Sequence, residues 1–203
     1  MNPYWFNLTM KNSKNEKEKS VIKDTCGFYE KMPRFVYDVA DIADARFLSP
    51  IQRVFERSDK QFTLTIVPAC GIDPTAAEMD DAYRDFFPGA EEEFVENALR
   101  RLAVAGNVNF DARNSMLCFS LVEVTNEYAT ATNGDRLTRK RLEKSLNLLS
   151  DVKYVLKQGA REFYFRPIEA LKWVEDDGEF YYRINFTPFF FDLGEIFARI
   201  FLD

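Results

Sequence analysis

The sequence has no histidine in 203 residues. That removes the side chain that most often supplies a base near neutral pH, partners a Ser or Cys nucleophile and ligates zinc. Cysteine is scarce too: Cys26, Cys70 and Cys118 are far apart, odd in number and form no CxxC pair, which argues against a disulfide framework and a thiolate metal cluster. Such usage fits a reducing, cytoplasmic compartment. Long apolar runs are also missing. The stretches 186–191 (FTPFFF) and 196–202 (IFARIFL) fall far short of the ~20 residues of a membrane span, so a soluble chain with no membrane partner is expected. The N-terminus, MNPYWFNLTMKNSKNEKEK, places its basic residues after its apolar ones and has no small-residue cleavage site, which argues against a secretory signal.

Apolar residues make up 46% of the chain and include 20 Phe, enough for one domain with a sizeable core. Residues 11–20 (KNSKNEKEKS) have no apolar side chain and cannot offset the entropy of ordering, so 1–20 reads as a mobile tail. An N-terminal extension of uncertain fold is expected over 21–74. Within it 35–42 suits helix or strand, and 61–67 (QFTLTIV) alternates as a strand that ends at Pro68.

After Pro74 the pattern becomes helical. Phe87-Pro88-Gly89 interrupts it before a helix over 91–103, with Val95, Ala98, Leu99 and Leu102 on one face and Gly106 as its stop. Glu91, Glu92 and Glu93 suit the positive end of the helix dipole and read as a solvated start. A short strand or two is expected over 108–119. Ser120 and Glu123 have the spacing of a capping box, Asn133-Gly134 that of a left-handed stop, and Thr138 that of the next N-cap, so 120–149 reads as helix, turn, helix. Strands are expected over 153–158, 161–168 and 179–186, with a hairpin turn at Gly159-Ala160 and Phe180, Tyr182, Ile184 and Phe186 on one face of the last. This order predicts an α+β winged helix over 75–203.

The second helix of the pair, TRKRLEKSLNLL at 138–149, separates its surfaces. At about 100° per residue, Leu142, Leu146 and Leu149 share a face, while Lys140, Lys144 and Asn147 point away. The formal net charge is −6, yet 135–161 carries a local excess of five positive charges, which leaves −11 elsewhere. Such asymmetry suits phosphate in one place and discourages indiscriminate binding. Arg136, Thr138, Arg139, Lys140, Arg141, Lys144 and Asn147 are the candidate DNA-contacting residues of the helix, with Lys157 and Arg161 near the hairpin tip as a wing. A solvated helix surface is the alternative for the same residues.

Residues 86–103 (FFPGAEEEFVENALRRLA), 119–121 (FSL), 142–150 (LEKSLNLLS) and 182–188 (YRINFTP) together resemble plasmid replication initiator proteins, over about half the chain and in pattern more than in an invariant motif. The resemblance implies a winged-helix protein that binds repeated or palindromic double-stranded DNA at an origin, often as a homodimer, recruits host replication proteins and does not itself catalyse nucleotide chemistry; no cofactor is expected. Such initiators commonly contain two winged-helix units, the first more concerned with dimerisation and the second with sequence reading. The sequence ends at Asp203, soon after the one expected unit.

Two other functions compete. A winged-helix dimerisation or protein-interaction module would use 189–202 as an apolar surface, although core is the simpler use of those aromatics. A carboxylate enzyme would use Asp80, Asp81 and Asp85, but their spacing does not gather three ligands on one helical face, and neither a nucleophile with its base nor a phosphate-binding loop supports catalysis. A non-enzymatic role is expected.

Overall fold

A computed structural model describes residues 29, 32–37, 47–57, 59–72, 83–105, 109–111, 115–174 and 178–187. The expected tail, the stop at Gly106, Asp80, Asp81 and the apolar segment 189–202 lie outside them. The chain is α+β, with antiparallel sheets and three helices among the described residues.

The first sheet joins β1 (Ile51–Arg57), β2 (Lys60–Val67), β7 (Lys153–Gln158) and β8 (Arg161–Phe165) in the order β1-β2-β7-β8. The expected strand over 61–67 is its second member, and Leu64 opposite Leu156 fixes its register. The β2–β7 ladder therefore crosses the boundary expected at residue 74. Phe62, Leu64, Ile66, Tyr154, Leu156 and Phe165 form its buried face, as alternation along a half-buried strand requires. Gly159, at φ +59°, makes the tight turn between β7 and β8.

Two short strands, β3 (Ala69–Ile72) and β4 (Tyr83–Phe86), pair with each other. The helix expected up to Phe87 is thus corrected at 83–86, where pairing with β3 gives strand. The second large sheet takes β5 (Asn109–Asp111), β6 (Met116–Ser120), β9 (Ile168–Val174) and β10 (Phe180–Phe186) in the order β5-β6-β10-β9. The strand expected over 161–168 is really two. It breaks at Arg166-Pro167, where proline has no N–H for a ladder and the Pro167 carbonyl accepts from Thr187 N–H at 3.0 Å.

The helices are α1 (Ala90–Ala105), α2 (Leu121–Ala131) and α3 (Arg139–Asp151). Ser120 and Glu123 close the expected capping box on α2. Asn133 and Gly134 both have positive φ, and Gly134 N–H reaches back to the Ala129 carbonyl at 2.8 Å, the long bond of a Schellman-type end. Thr138 caps α3, its hydroxyl accepting from Arg141 N–H. Val95, Leu99, Val124, Tyr128, Leu142, Leu146, Leu149, Tyr182 and Ile184 meet the buried face of the first sheet in one core cluster.

Candidate nucleic-acid interface

The buried face, the exposed face and the two flanks of α3 do different work. Leu142, Ser145, Leu146, Leu148 and Leu149 are buried, and the hydroxyl of Ser145 donates to the buried Glu92 at 3.0 Å. Lys140, Lys144 and Asn147 form an exposed line on the far side, as their helical spacing requires. Among the described residues the Lys140 and Asn147 side chains have no hydrogen bond or ion pair, and the Lys144 ammonium lies 5.6 Å from the Phe86 ring centroid.

Arg141, on one flank, points inward. Its Nε and Nη2 hold Glu91 at 2.8 and 2.7 Å; Nη2 also reaches the Tyr128 hydroxyl and Asp135, and Nη1 donates to the Arg136 carbonyl. Hydrogen bonds to Glu91 and then Asp135 hold this guanidinium protonated above its ordinary range. Burial, with Glu91 next to it, pushes the Tyr128 hydroxyl up to about 12. Arg141 therefore ties the starts of α1 and α3 to α2 and the connecting turn. Thr125 adds a hydroxyl bond to the Leu137 carbonyl of that turn.

The three glutamates opening α1 are not simply solvated. Glu91 holds Arg141, Glu92 accepts from Ser145 and from Gly89 N–H, and Glu93 accepts from the Tyr37 hydroxyl at 2.7 Å. Asp85, once a candidate metal ligand, accepts from Leu48 N–H. Among the described residues no three His, Cys, Asp or Glu side chains are grouped to hold a metal ion.

The other flank of α3 faces the β9–β10 hairpin. Glu143 Oε1 accepts from Lys172 Nζ at 2.8 Å, Arg139 Nε at 2.9 Å and the Tyr182 hydroxyl at 3.1 Å. Arg139 and Lys172 both lie over the Phe180 ring, 3.6 and 4.8 Å from its centroid. Partial burial works against the charge of Glu143, but the bonds from Lys172, Arg139 and Tyr182 outweigh it and hold the carboxyl below its usual value.

The predicted residues thus divide. Arg136, Lys140, Lys144 and Asn147 stay on the surface, Arg139 is paired at the rim, Thr138 caps, and Arg141 is drawn into the framework. Lys157 pairs with Glu162 at 3.1 Å, and Arg161 sits across from Gln158. Their hairpin is correctly anticipated but belongs to the sheet built on β2, whereas α3 packs against β9. Lys172 was missed because β9 was missed: its sequence, IEALKWV, does not alternate apolar with polar, and only pairing with β10 makes it a strand.

No family model matches the chain, and no curated protein does. Among solved structures its fold is similar to that of domains 2 and 3 of RctB, with a TM-score of 0.50 and 12% identity over 83% of this chain and 59% of that one. A second structure of RctB domains 2 and 3 aligns with a TM-score of 0.46 and 12% identity over 71% of this chain and 53% of that one. The chain thus spans less than two thirds of the RctB chains it resembles. Among the described residues no helix is long and apolar enough to cross a membrane.

Proposed function

We propose that the chain is a replication-initiator-like protein that binds duplex DNA through the exposed face of α3, without catalysing a reaction. The observation that carries this is the exposed line Lys140, Lys144 and Asn147, whose side chains have no hydrogen bond or ion pair among the described residues, on a helix whose opposite face is locked into the core. A helix pair that presents the outer side of its second helix is the arrangement by which helix-turn-helix proteins enter the major groove. The strand order supports a winged-helix frame: β6 leads into α2, and the β9–β10 hairpin returns to pair with β6 beside α3. On this frame the wing is β9–β10 and not β7–β8. The likeness to RctB, a replication initiator, supports the same class. A plasmid origin, a homodimer and host replication proteins are the partners such a role would call for.

The test is selection of bound duplexes from a random pool, followed by titration at several salt concentrations. The wild type binds and weakens steeply with salt, and Lys140→Glu with Lys144→Glu lowers affinity at least ~10-fold and removes about two units of salt slope. A folded double variant that binds like the wild type rules out α3 as the contact surface.

A further inference from the structure

The β9–β10 flank of α3 holds two cations on one aromatic ring with an acid between them. Arg139 and Lys172 share the Phe180 ring and both donate to Glu143 Oε1. Their side chains remain 44% and 34% exposed, and that of Glu143 30% exposed, so all three can reach a ligand from solvent. The register explains the meeting. Lys172 lies opposite Tyr182 on β10, cross-strand partners share a face, and the buried Tyr182 fixes that face as the one turned toward α3. The cations are therefore set by the sheet and the helix together.

A carboxylate and a phosphodiester ask for the same thing: N–H donors directed at anionic oxygens. We propose that Arg139 and Lys172 form a backbone-phosphate site for duplex DNA, positioned by Phe180, which Glu143 occupies in the free protein and yields to a phosphate on binding. The site rests on the DNA-binding role of α3 and extends it from the helix onto the neighbouring hairpin. Glu143 keeps a donor after the exchange, the Tyr182 hydroxyl, so displacement leaves no buried charge unpaired. Its presence makes each cation's move to phosphate an exchange of partners, which lowers affinity for any duplex that offers little else. An acidic chain with a small basic face gains discrimination from such an internal competitor.

Fluorescence anisotropy with the full chain and a selected duplex tests this through four variants, each first shown to be folded by circular dichroism and thermal melting. Glu143→Gln keeps an acceptor for Tyr182 and removes the competing charge; it should tighten binding about 3- to 10-fold. Lys172→Met should weaken binding several-fold and reduce the salt slope by about one unit. Glu162→Gln changes net charge equally but frees Lys157 on the other hairpin, and it should leave affinity within about twofold of the wild type. Equal tightening by Glu143→Gln and Glu162→Gln would assign the effect to net charge and overturn the site. So would a Glu143→Gln or Lys172→Met variant that binds like the wild type while the Lys140→Glu, Lys144→Glu double variant loses binding. If that double variant also binds normally, the α3 surface fails, and the site that extends it fails too.

Discussion

Two charged clusters flank the two hairpins that follow α3, and burial separates their roles. Beside β7–β8, Arg34 pairs with Glu96, both almost wholly buried. The Arg34 guanidinium covers the Tyr29 ring, its Nε donates to the Tyr29 carbonyl, and its own carbonyl accepts from the Tyr154 hydroxyl of β7. Burial alone would weaken the charge of Arg34, but Glu96 and the two tyrosines hold it protonated above its ordinary range. Beside β9–β10, Glu143 gathers Arg139 and Lys172 at the rim, where water and ligands reach them. A buried pair can be broken only at the cost of stranding a charge, whereas a rim pair can change partners. The first cluster therefore joins an early segment of the chain to α1 and β7, and the second is suited to exchange.

The largest effect expected from breaking this contrast is at Arg34. Arg34→Met strands Glu96, whose Oε1 already has no hydrogen-bond donor among the described residues, and should cost about 3–5 kcal/mol in urea denaturation. Arg34→Met with Glu96→Leu should recover most of that loss, because a buried ion pair and an apolar pair of similar volume are often of comparable stability. A single variant as stable as the wild type would mean that water already reaches this pair.

The sequence anticipated the pieces that rest on neighbours a few residues apart. Ser120 with Glu123, Asn133 with Gly134, Thr138, and the turn at Gly159 were all legible, because caps and turns are local chemistry. The leucine stripe of α3 and its exposed Lys140, Lys144 and Asn147 followed from the helical repeat alone. What was lost depended on distant partners. β4 is four residues that only pairing with β3 makes a strand, and β9 contains Glu, Ala, Leu and Lys, ordinary helix formers that the ladder with β10 overrides. Glu91 looked solvated because Arg141 is fifty residues away in sequence. The candidate interface was accordingly legible as a helix face but not as a helix beside the β9–β10 hairpin.

Arg141 lies between the two extremes, partly exposed yet bonded to three elements, and should give an intermediate effect. Arg141→Met removes a two-pronged grip on Glu91 and the contacts to Tyr128 and Asp135. Solvent screens a pair this open, so the expected loss in thermal or urea unfolding is about 1 kcal/mol. If Arg141 instead served chiefly as a DNA contact, the variant would keep its stability and lose affinity with one unit of salt slope.

The smallest effect, and the one that most sharply separates rim from core, is the acid titration of Glu143. Its folded pKa is held low, so its ionised form contributes stability above the unfolded value of about 4.3, and that contribution disappears as pH falls through the lower folded value. Facing it are Arg139, Lys172 and the Tyr182 hydroxyl, the last pushed up to about 12, by burial first and then by Glu143 itself. Glu143→Gln cannot ionise. The difference in unfolding free energy between wild type and Glu143→Gln should therefore be a few tenths of a kcal/mol near pH 6 and shrink as pH falls below about 4.3 and through the lower folded value. Added salt should shrink it at pH 6 as well, since an open cluster is screened while the Arg34–Glu96 pair is not. A difference independent of both pH and salt would show that Glu143 acts by packing, and would remove the ground on which a phosphate exchanges with it.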